Sequence, residues 1–321
     1  MLNIAKCVAL CVIAMLAMSA RAASAEAARI VEATIKTDLL AQPVEYAVLL
    51  PDGYEAGGEK LPLVLLLHGG NGDRSFLKQM QPVIEKAWSS GAFPPAVFAT
   101  PSAARSFYMD YKDGSEKWES FIMGQFIGDL RKNYRVTSEA QGTLVFGISM
   151  GGMGALRMAL KYPERFGGVA ALEPGIDPAL RWKDVPARNR FWRGDDLMQR
   201  IYGKPMDEAY WEANNPASIA IANREKIRAA KLPIYLECGD RDMFNLHEAA
   251  EFMHRVLWDN QIEHEYHLVH DADHLGASLG PRSLEALAFL GRVLNPPKQD
   301  ARTWRTRLWI GLMKRRAGVT D

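Results

Sequence analysis

The sequence predicts an α/β protein in which helices cover both faces of a mostly parallel central sheet. Two observations support this: short strand-like runs alternate with segments of helical apolar rhythm, and several runs are apolar without a break. The alternation is typical of βαβ units, and an unbroken apolar run is expected of a strand buried on both faces. The 321 residues are 48% hydrophobic and 24% charged, so disorder is excluded as the main state.

Eight strands are predicted in chain order. RIVEATI and VEYAVLL are rich in β-branched residues and form an opening pair, which the turn signal PDGY follows. The later strands are LPLVLLL, AVFATP, TLVFG, GVAAL, LPIYLEC and HEYHLV. The expected positions are 29–35, 44–50, 61–67, 96–101, 143–147, 168–172, 232–238 and 264–269.

Helices are predicted between these strands, where apolar residues recur at helical spacing. They are expected at 117–134, 152–162, 247–258 and 282–294. No repeat or linker divides residues 26–296, so we expect one domain there. Within it, residues 176–215 form a long, aromatic-rich segment. This segment is predicted either to be a lid whose aromatic side chains line a pocket or to pack as a small subdomain.

Residues 1–25 are predicted to be a secretory signal peptide that is not part of the fold. Lys6 gives a positive start, the apolar run CVALCVIAMLAM follows, and small residues allow cleavage after Ala25 or Ala22. An uncleaved anchor is the alternative, but a bilayer span needs about 20 apolar residues. The mature protein is therefore expected in the periplasm of a bacterium or outside the cell.

Cleavage would remove two of the three cysteines. No convincing lipobox precedes Cys7 or Cys11, so a lipoprotein is the less favoured alternative. Cys238 alone would remain, and the mature chain is predicted to fold without an internal disulfide.

The sequence GISMGG at 147–152 lies between a predicted strand and a predicted helix. A nucleophilic serine needs a tight turn that pushes its hydroxyl out of the sheet, and flanking glycines remove side chains that would clash there. An ordinary glycine-rich turn is the alternative. Because of the strand–turn–helix context, Ser149 is predicted to be a nucleophile.

A nucleophilic serine also needs a base and a carboxylate that orients the base. In this architecture both follow the serine along the chain, the acid first. Asp242, just beyond the strand at 232–238, is the predicted acid, and Asp240 is the alternative. Either could instead cap the next helix. Glu173, which also follows a strand, is a more remote candidate.

Four histidines crowd residues 264–274, and His274 is the predicted base because it lies on a loop after the last strand. His270 is the alternative base. A metal site is disfavoured because no H-E-x-x-H or similar spacing is present. No metal or organic cofactor is implied.

Two backbone N–H groups are predicted to stabilise an oxyanion. One belongs to Met150, which follows the serine. The other belongs to the glycine-rich loop after the strand at 61–67, where Gly70 is chosen and Gly69 or Asn71 are alternatives.

Three further side chains are candidates for contact with a substrate. His68 opens the glycine-rich loop and is interpreted mainly as a residue that shapes it. Tyr108 and Trp118 precede or open the next predicted helix and are expected to line the cleft.

These segments carry a resemblance. HGG, KWESF at 117–121, GISMGGMGALRMALKYPERF and CGDRDMF are similar to the esterase D family of α/β-hydrolases, over roughly residues 30–295. That family includes S-formylglutathione hydrolases, tributyrin esterases, feruloyl and acetylxylan esterases and mycolyltransferases. The resemblance implies an α/β-hydrolase fold, with Ser149, Asp242 and His274 as a catalytic triad and Gly70 and Met150 as oxyanion donors. The sequence departs from the family pattern at LEPG (172–175) and at 176–215, which relative to the family is an insertion.

The expected function is that of a secreted serine carboxylesterase, which hydrolyses small-molecule or carbohydrate esters through an acyl-enzyme on Ser149. One alternative is an acyltransferase that uses a sugar or alcohol acceptor. Another is a non-catalytic carbohydrate- or lipid-binding module. The net charge of +1 disfavours a nucleic-acid partner, and no oligomeric state is predicted.

The tail at 297–321 mixes basic residues with tryptophan and aliphatic residues. An interfacial helix that makes weak contact with a membrane surface is one interpretation. Basic and apolar positions interleave around the helical wheel, so a terminal helix packed on the domain or a frayed tail is favoured.

Overall fold

The computed structural model describes residues 27–55, 57–298 and 301–319. The predicted signal peptide at 1–25, with Cys7 and Cys11, lies outside the described residues. One sheet of eight strands organises the described chain, in the order β1-β2-β4-β3-β5-β6-β7-β8. The strands are β1 Arg29–Ile35, β2 Val44–Leu50, β3 Leu63–Leu67, β4 Val97–Pro101, β5 Thr143–Ile148, β6 Gly168–Leu172, β7 Ile234–Gly239 and β8 Glu265–Val269.

The sheet is mostly parallel. The β1/β2 and β2/β4 pairs are antiparallel, and the pairs from β4 through β8 are parallel. In the middle of the sheet, Leu65 of β3 lies between Ala99 of β4 and Val145 of β5. This architecture confirms the predicted fold class.

Helices lie between the parallel strands and after β8. They are α1 Phe76–Ser89, α2 Trp118–Ser120, α3 Ile127–Asn133, α4 Met150–Lys161, α5 Asp195–Tyr202, α6 Glu208–Asn214, α7 Pro216–Ala222, α8 Arg224–Ala230, α9 Leu246–Asp259, α10 Leu279–Leu294 and α11 Ala301–Arg316. A π-helix, Phe121–Phe126, joins α2 to α3. No helix of the described residues combines the length and the apolar character needed to cross a membrane.

Two apolar cores lie on opposite faces of the sheet, and β3 contributes to both. Leu63, Leu65 and Leu67 pack in one core, and Val64 and Leu66 pack in the other. Side chains alternate between the faces of a strand, so a strand covered on both sides must be apolar at every position. The unbroken run of β3 is therefore a consequence of its central place in the sheet.

Aromatic and charged side chains pack within the 176–215 insertion, and Arg193 joins it to the preceding segment. Trp182 and Trp211 meet edge to face, with ring centroids 5.5 Å apart. Arg193 and Asp177 form a buried ion pair, and Arg193 also donates a hydrogen bond of 2.6 Å to the carbonyl oxygen of Gly175. This contact ties the insertion to the segment that follows β6.

Candidate active site

Ser149 occupies a strained turn between β5 and α4. Its backbone angles are φ 57° and ψ −118°, a conformation that L-residues rarely adopt. The turn is fixed from the neighbouring strand β6, because the Ser149 N–H donates to the carbonyl of Leu172 and its carbonyl accepts from Gly175 N. The side chain stands at the N-terminus of α4, where the helix dipole favours negative charge.

The glycines around Ser149 are required by close backbone contacts. A Cβ atom on Gly147 would lie 2.1 Å from the carbonyl oxygen of Gly151, and one on Gly151 would lie 2.0 Å from the oxygen of Leu67. A Cβ atom on Gly152 would lie 2.9 Å from the carbonyl oxygen of Leu172. Any larger residue would push α4 away from β3 and β6.

The structure brings Ser149, His274 and Asp242 together from three separate strand ends. Ser149 Oγ lies 3.1 Å from Nε2 of His274, and Asp242 Oδ2 lies 2.6 Å from Nδ1 of the same ring. The loop that carries His274 is held against the end of β7, where a Cβ on Gly239 would come within 2.2 Å of the Ala272 carbonyl. With Nδ1 donating to Asp242, Nε2 is free to accept the hydroxyl proton of Ser149.

Asp242 is buried but ionised. Burial favours the neutral acid, but the hydrogen bond and charge of His274, together with the N–H groups of Leu246 and Phe244, hold its pKa below the usual value. These two N–H groups donate to Oδ1 at 3.2 and 2.8 Å. Asp242 therefore keeps a negative charge against the histidine and at the start of α9.

The alternative acid and base pair with each other instead of with Ser149. His270 Nδ1 lies 2.8 Å from Asp240 Oδ2, and the His270 side chain is 89% exposed. The structure does not bring either residue to Ser149. Asp240 and His270, which lie close to Asp242 and His274 in the sequence, thus form a separate pair on the surface of the domain.

Glu173 joins the buried side of the candidate triad. Its Oε2 lies 3.3 Å from His274 Nδ1, and its Oε1 pairs with Arg282. Among the described residues, Glu173, Asp242 and His274 form one group whose ligand atoms lie within 4.8 Å of one another. Arg282 already supplies a cation to this group, which disfavours a metal ion there.

The glycine-rich loop after β3 lies opposite Ser149. Gly69, Gly70 and Asn71 all line the cleft, and a Cβ on Gly69 would lie 3.5 Å from the Cβ of Ser149. Met150 lines the same cleft and is the first residue of α4, so no residue of its own helix accepts its N–H. The loop and the helix end thus face one space beside the serine hydroxyl.

His68 holds this loop from behind. Its Nδ1 donates to the Gly69 carbonyl at 2.7 Å, and its Nε2 accepts from the N–H of Ala103 at 2.9 Å. Burial lowers the pKa of His68, so the ring stays neutral. Both ring nitrogens are therefore used within the protein, as the interpretation of His68 as a loop-shaping residue requires.

The cleft beside Ser149 has a volume of about 600 Å³ and an aromatic wall. Phe107 and Trp192 stack with their ring planes at 11°, and Phe244 meets Trp192 and His274 edge to face. Trp192 comes from the insertion, and Phe107 is held at a positive φ of 56°. Arg105 lines the same cleft and donates to the Trp192 carbonyl at 2.7 Å.

The prediction that Tyr108 and Trp118 line the cleft is wrong. Tyr108 is fully buried, and its hydroxyl donates to the carbonyl of His68 at 3.1 Å, behind the glycine-rich loop. Trp118 is also buried and packs edge to face on Phe121. Neither side chain lines the cleft, because both serve the core beneath it.

Phe244 and Arg282 reach the site without a clear sequence signal. Phe244 is part of the CGDRDMF segment, two residues after Asp242, and that spacing is the one hint of its place. Arg282 lies on α10, eight residues after His274, but its buried contacts with Glu173 and Glu237 are visible only in three dimensions.

This arrangement can activate a hydroxyl group. A neutral imidazole that accepts a hydrogen bond from a serine, and is held by a buried carboxylate, can take the hydroxyl proton as the oxygen attacks an electrophile. The strained turn, the helix end and the facing loop leave room for the reacting group.

Known proteins resemble this chain in sequence and fold. The family model described as Esterase matches residues 38–276. Esterase Rv1288 of Mycobacterium tuberculosis is 29% identical over 190 residues, which cover 56% of this chain but 40% of that protein. Diacylglycerol acyltransferase/mycolyltransferase Ag85A, of the same species, is 25% identical over 261 residues, covering 77% of this chain and 75% of that protein.

Solved structures agree on the architecture. A ferulic acid esterase matches with a TM-score of 0.70 at 21% identity, and the match covers 84% of this chain and 100% of the other. This likeness confirms the α/β-hydrolase fold, and the sequence relatives confirm the resemblance to the esterase D group. Since its model spans most of the sequence, the chain belongs to the Esterase family.

Proposed function

We propose that the protein is a secreted serine carboxylesterase in which Ser149, His274 and Asp242 act as the catalytic triad. The observation that carries this proposal is the continuous chain of contacts from Ser149 Oγ through both nitrogens of His274 to Asp242. Membership of the Esterase family supports the same chemistry.

The first half-reaction forms an acyl-enzyme. Ser149 Oγ attacks the ester carbonyl carbon while His274 Nε2 takes the hydroxyl proton, and Asp242 stabilises the imidazolium that forms. The N–H groups of Met150 and Gly70 hold the negative oxygen of the tetrahedral intermediate. The intermediate collapses, the bond to the alkoxy group breaks, and His274 returns the proton to the departing alcohol.

The second half-reaction restores the enzyme. A water molecule gives a proton to His274 Nε2 and attacks the acyl carbon, which again passes through an oxyanion at the same donors. Breaking the bond to Ser149 Oγ releases the carboxylic acid, and the proton returns to the serine. No redox partner or metal is needed to balance these steps.

The aromatic wall supports an apolar or aromatic group on the substrate. Phe107, Trp192 and Phe244 offer flat, weakly polar surfaces next to His274, and rings or acyl chains bind such surfaces well. Structural similarity to a ferulic acid esterase is consistent with an aromatic acyl group. The cleft volume of about 600 Å³ lies in the range of sites for small-molecule or carbohydrate esters.

Hydrolysis of p-nitrophenyl acetate tests the proposed activity. The wild type should hydrolyse the ester, and Ser149→Ala should lower kcat by roughly 10⁴-fold or more, because the nucleophile is absent. An alanine variant with undiminished activity would remove Ser149 from the mechanism.

Acyl transfer to an alcohol or sugar is the second candidate function, favoured by the sequence similarity to mycolyltransferase Ag85A. The acyl-enzyme would then give its acyl group to a hydroxyl of the acceptor instead of to water. Adding a range of alcohols and sugars to the assay and measuring transacylated product by mass spectrometry separates the two functions. Product formation that exceeds hydrolysis would favour the transferase.

Secretion rests on the predicted signal peptide at residues 1–25. Fractionation of cells that express the full chain, followed by N-terminal sequencing, tests it. A mature N-terminus at Glu26 or Ala23, in the periplasm or medium, supports the proposal, and an intact N-terminus in the cytoplasm contradicts it.

Helix α11 supports a weak contact with an anionic membrane surface. Its basic and apolar positions interleave, so the attraction would be mainly electrostatic: the sequence contains six basic residues and no acidic one, and the Trp304 and Trp309 side chains are each more than half exposed. Cosedimentation with phosphatidylglycerol vesicles should be reduced in the Arg305→Glu/Arg307→Glu variant and absent with phosphatidylcholine vesicles. Equal binding to both lipids, or none to either, contradicts the contact.

A further inference from the structure

Glu173 is an unusual residue at the end of a buried strand. It follows β6 with a positive φ of 46°, and its side chain is completely buried. A buried acid in a strained backbone conformation is costly, so both features call for a role beyond packing.

The two carboxyl oxygens of Glu173 have different surroundings. Oε1 accepts a hydrogen bond from Arg282. Oε2 accepts no hydrogen bond from any group in the described part of the chain, and it lies 3.3 Å from Nδ1 of His274. An unsatisfied buried oxygen destabilises the folded state. It is therefore placed beside the histidine at a cost in stability.

Arg282 fixes this placement. Its guanidinium, itself buried, also donates to Glu237 Oε1 at 2.8 Å and to the backbone carbonyl of Asp273 at 2.9 Å. Asp273 directly precedes His274, so one side chain holds both Glu173 and the loop that carries the histidine.

We propose that Glu173 is a second positioning residue for His274, able to accept the Nδ1–H hydrogen bond that Asp242 accepts in the structure. This inference rests on the proposed esterase function for its consequence in catalysis. The contact itself does not depend on that function.

The charges around Glu173 determine when its carboxyl group is ionised and can accept the Nδ1–H hydrogen bond of His274. The groups that face it are Asp242, His274, Arg282, Glu237 and the buried thiol of Cys238. Burial raises the pKa of Glu173 to about 8, and the carboxylates of Glu237 and Asp242 add to the rise while Arg282 opposes it. Near neutral pH, Glu173 therefore holds a proton and Asp242 alone supplies the charge on His274.

Removal of Asp242 changes this balance. Without that negative charge, ionisation of Glu173 becomes easier, and its carboxylate then accepts the Nδ1–H of His274. Asp242→Ala should therefore lose about 10²-fold in kcat/KM, less than the roughly 10⁴-fold seen when a triad has a single acid. The Asp242→Ala/Glu173→Gln variant should lose about 10²-fold more.

A matched control separates this effect from general damage to the buried cluster. Glu237 is also buried and also bonds Arg282, but no contact joins it to His274 in the described structure. Asp242→Ala/Glu237→Gln should be no slower than Asp242→Ala. Activity of Asp242→Ala/Glu173→Gln equal to that of Asp242→Ala would overturn the proposal.

Proton NMR of the His274 Nδ1–H provides a readout that is independent of ester hydrolysis. The downfield signal should persist in Asp242→Ala and disappear in Asp242→Ala/Glu173→Gln. Loss of the signal in folded Asp242→Ala contradicts the proposal, even if the double variant does not fold. If the His274 Nδ1–H signals behave as expected but the wild type hydrolyses no ester, the result instead contradicts the proposed function.

Discussion

Asp242 Oδ2 lies 2.6 Å from Nδ1 of His274, although 32 residues separate them along the chain. Two residues before Asp242, Asp240 makes a similar contact with His270, at 2.8 Å. The first pair is buried and touches Ser149 through His274, and the second pair lies at the surface. Both pairs join the end of β7 to the loop after β8, and they differ in burial and in contact with the serine.

The two pairs provide a matched test of the acid and the base. His274→Ala should lower kcat/KM by roughly 10⁴-fold or more, because no base remains to take the serine proton. Asp240→Ala and His270→Ala should each change kcat/KM by less than about twofold, since exposed ion pairs contribute little. Hydrolysis of p-nitrophenyl acetate measures all three, and a large loss in His270→Ala would reassign the base.

The contact between Gly151 and Leu67 predicts a strong effect on stability. A Cβ atom at Gly151 would lie 2.0 Å from a backbone oxygen, which cannot move without shifting β3. Gly151→Ala should therefore lower the free energy of unfolding by about 3 kcal/mol or more, as measured by urea denaturation.

Gly128 is the matched control for that substitution. It lies in α3, and a Cβ there would meet nothing within 4 Å. Gly128→Ala should leave stability unchanged or raise it by up to about 1 kcal/mol, because alanine favours a helix. Equal effects of the two substitutions would show that the turn around Ser149 tolerates a side chain.

Trp192 is predicted to select the substrate. Trp192→Ala should raise KM for a p-nitrophenyl ester of an aromatic acid by about tenfold, or 1.4 kcal/mol, because a flat surface of the cleft is lost. KM for p-nitrophenyl acetate should change by less than about threefold, since a methyl group offers little surface for contact with the Trp192 ring. Trp258→Ala, at a side chain 66% exposed on α9, should change neither value.

Glu173 predicts a pH dependence of stability. Its pKa is raised to about 8 in the folded protein, so between its unfolded pKa and 8 the folded state binds one more proton than the unfolded state. This contribution to stability is complete below the unfolded pKa, falls by up to about 1.4 kcal/mol per pH unit, and is lost as pH rises through 8.

Glu173→Gln should remove this contribution because glutamine does not titrate. The free energy of unfolding of the variant, relative to wild type, should therefore rise between pH 5 and pH 8 and then level off. Urea denaturation at several pH values measures the difference. A difference that stays constant over this range would show that Glu173 is ionised throughout.

Local patterns were sufficient to predict most of the fold. The eight strands appear within two residues of their expected bounds, because buried parallel strands leave an unbroken apolar run such as that of β3. Helix α1 was not predicted, since Pro82 lies inside it and proline normally interrupts a helix. The short helices of the insertion depend on packing between distant aromatic residues, which periodicity does not reveal.

The candidate site also contains residues that local sequence predicts and residues whose role depends on distant contacts. Ser149 lies in a local motif, and His274 and Asp242 follow strand ends, so sequence order was sufficient to select them. The part played by Glu173 depends on Arg282, more than one hundred residues later, and on burial that no local pattern encodes. Tyr108 was misplaced because its neighbour Phe107 turns toward the cleft while Tyr108 turns into the core.

Covalent labelling by a fluorophosphonate tests the central claim most directly, because the reagent reacts with serines that an adjacent base activates. Intact-mass analysis of the full chain should show one adduct per molecule, and peptide mapping should place it on Ser149. Labelling should be lost in Ser149→Ala and strongly slowed in His274→Ala. An unlabelled wild type, or an adduct on another residue, would contradict the assignment of Ser149 as the nucleophile.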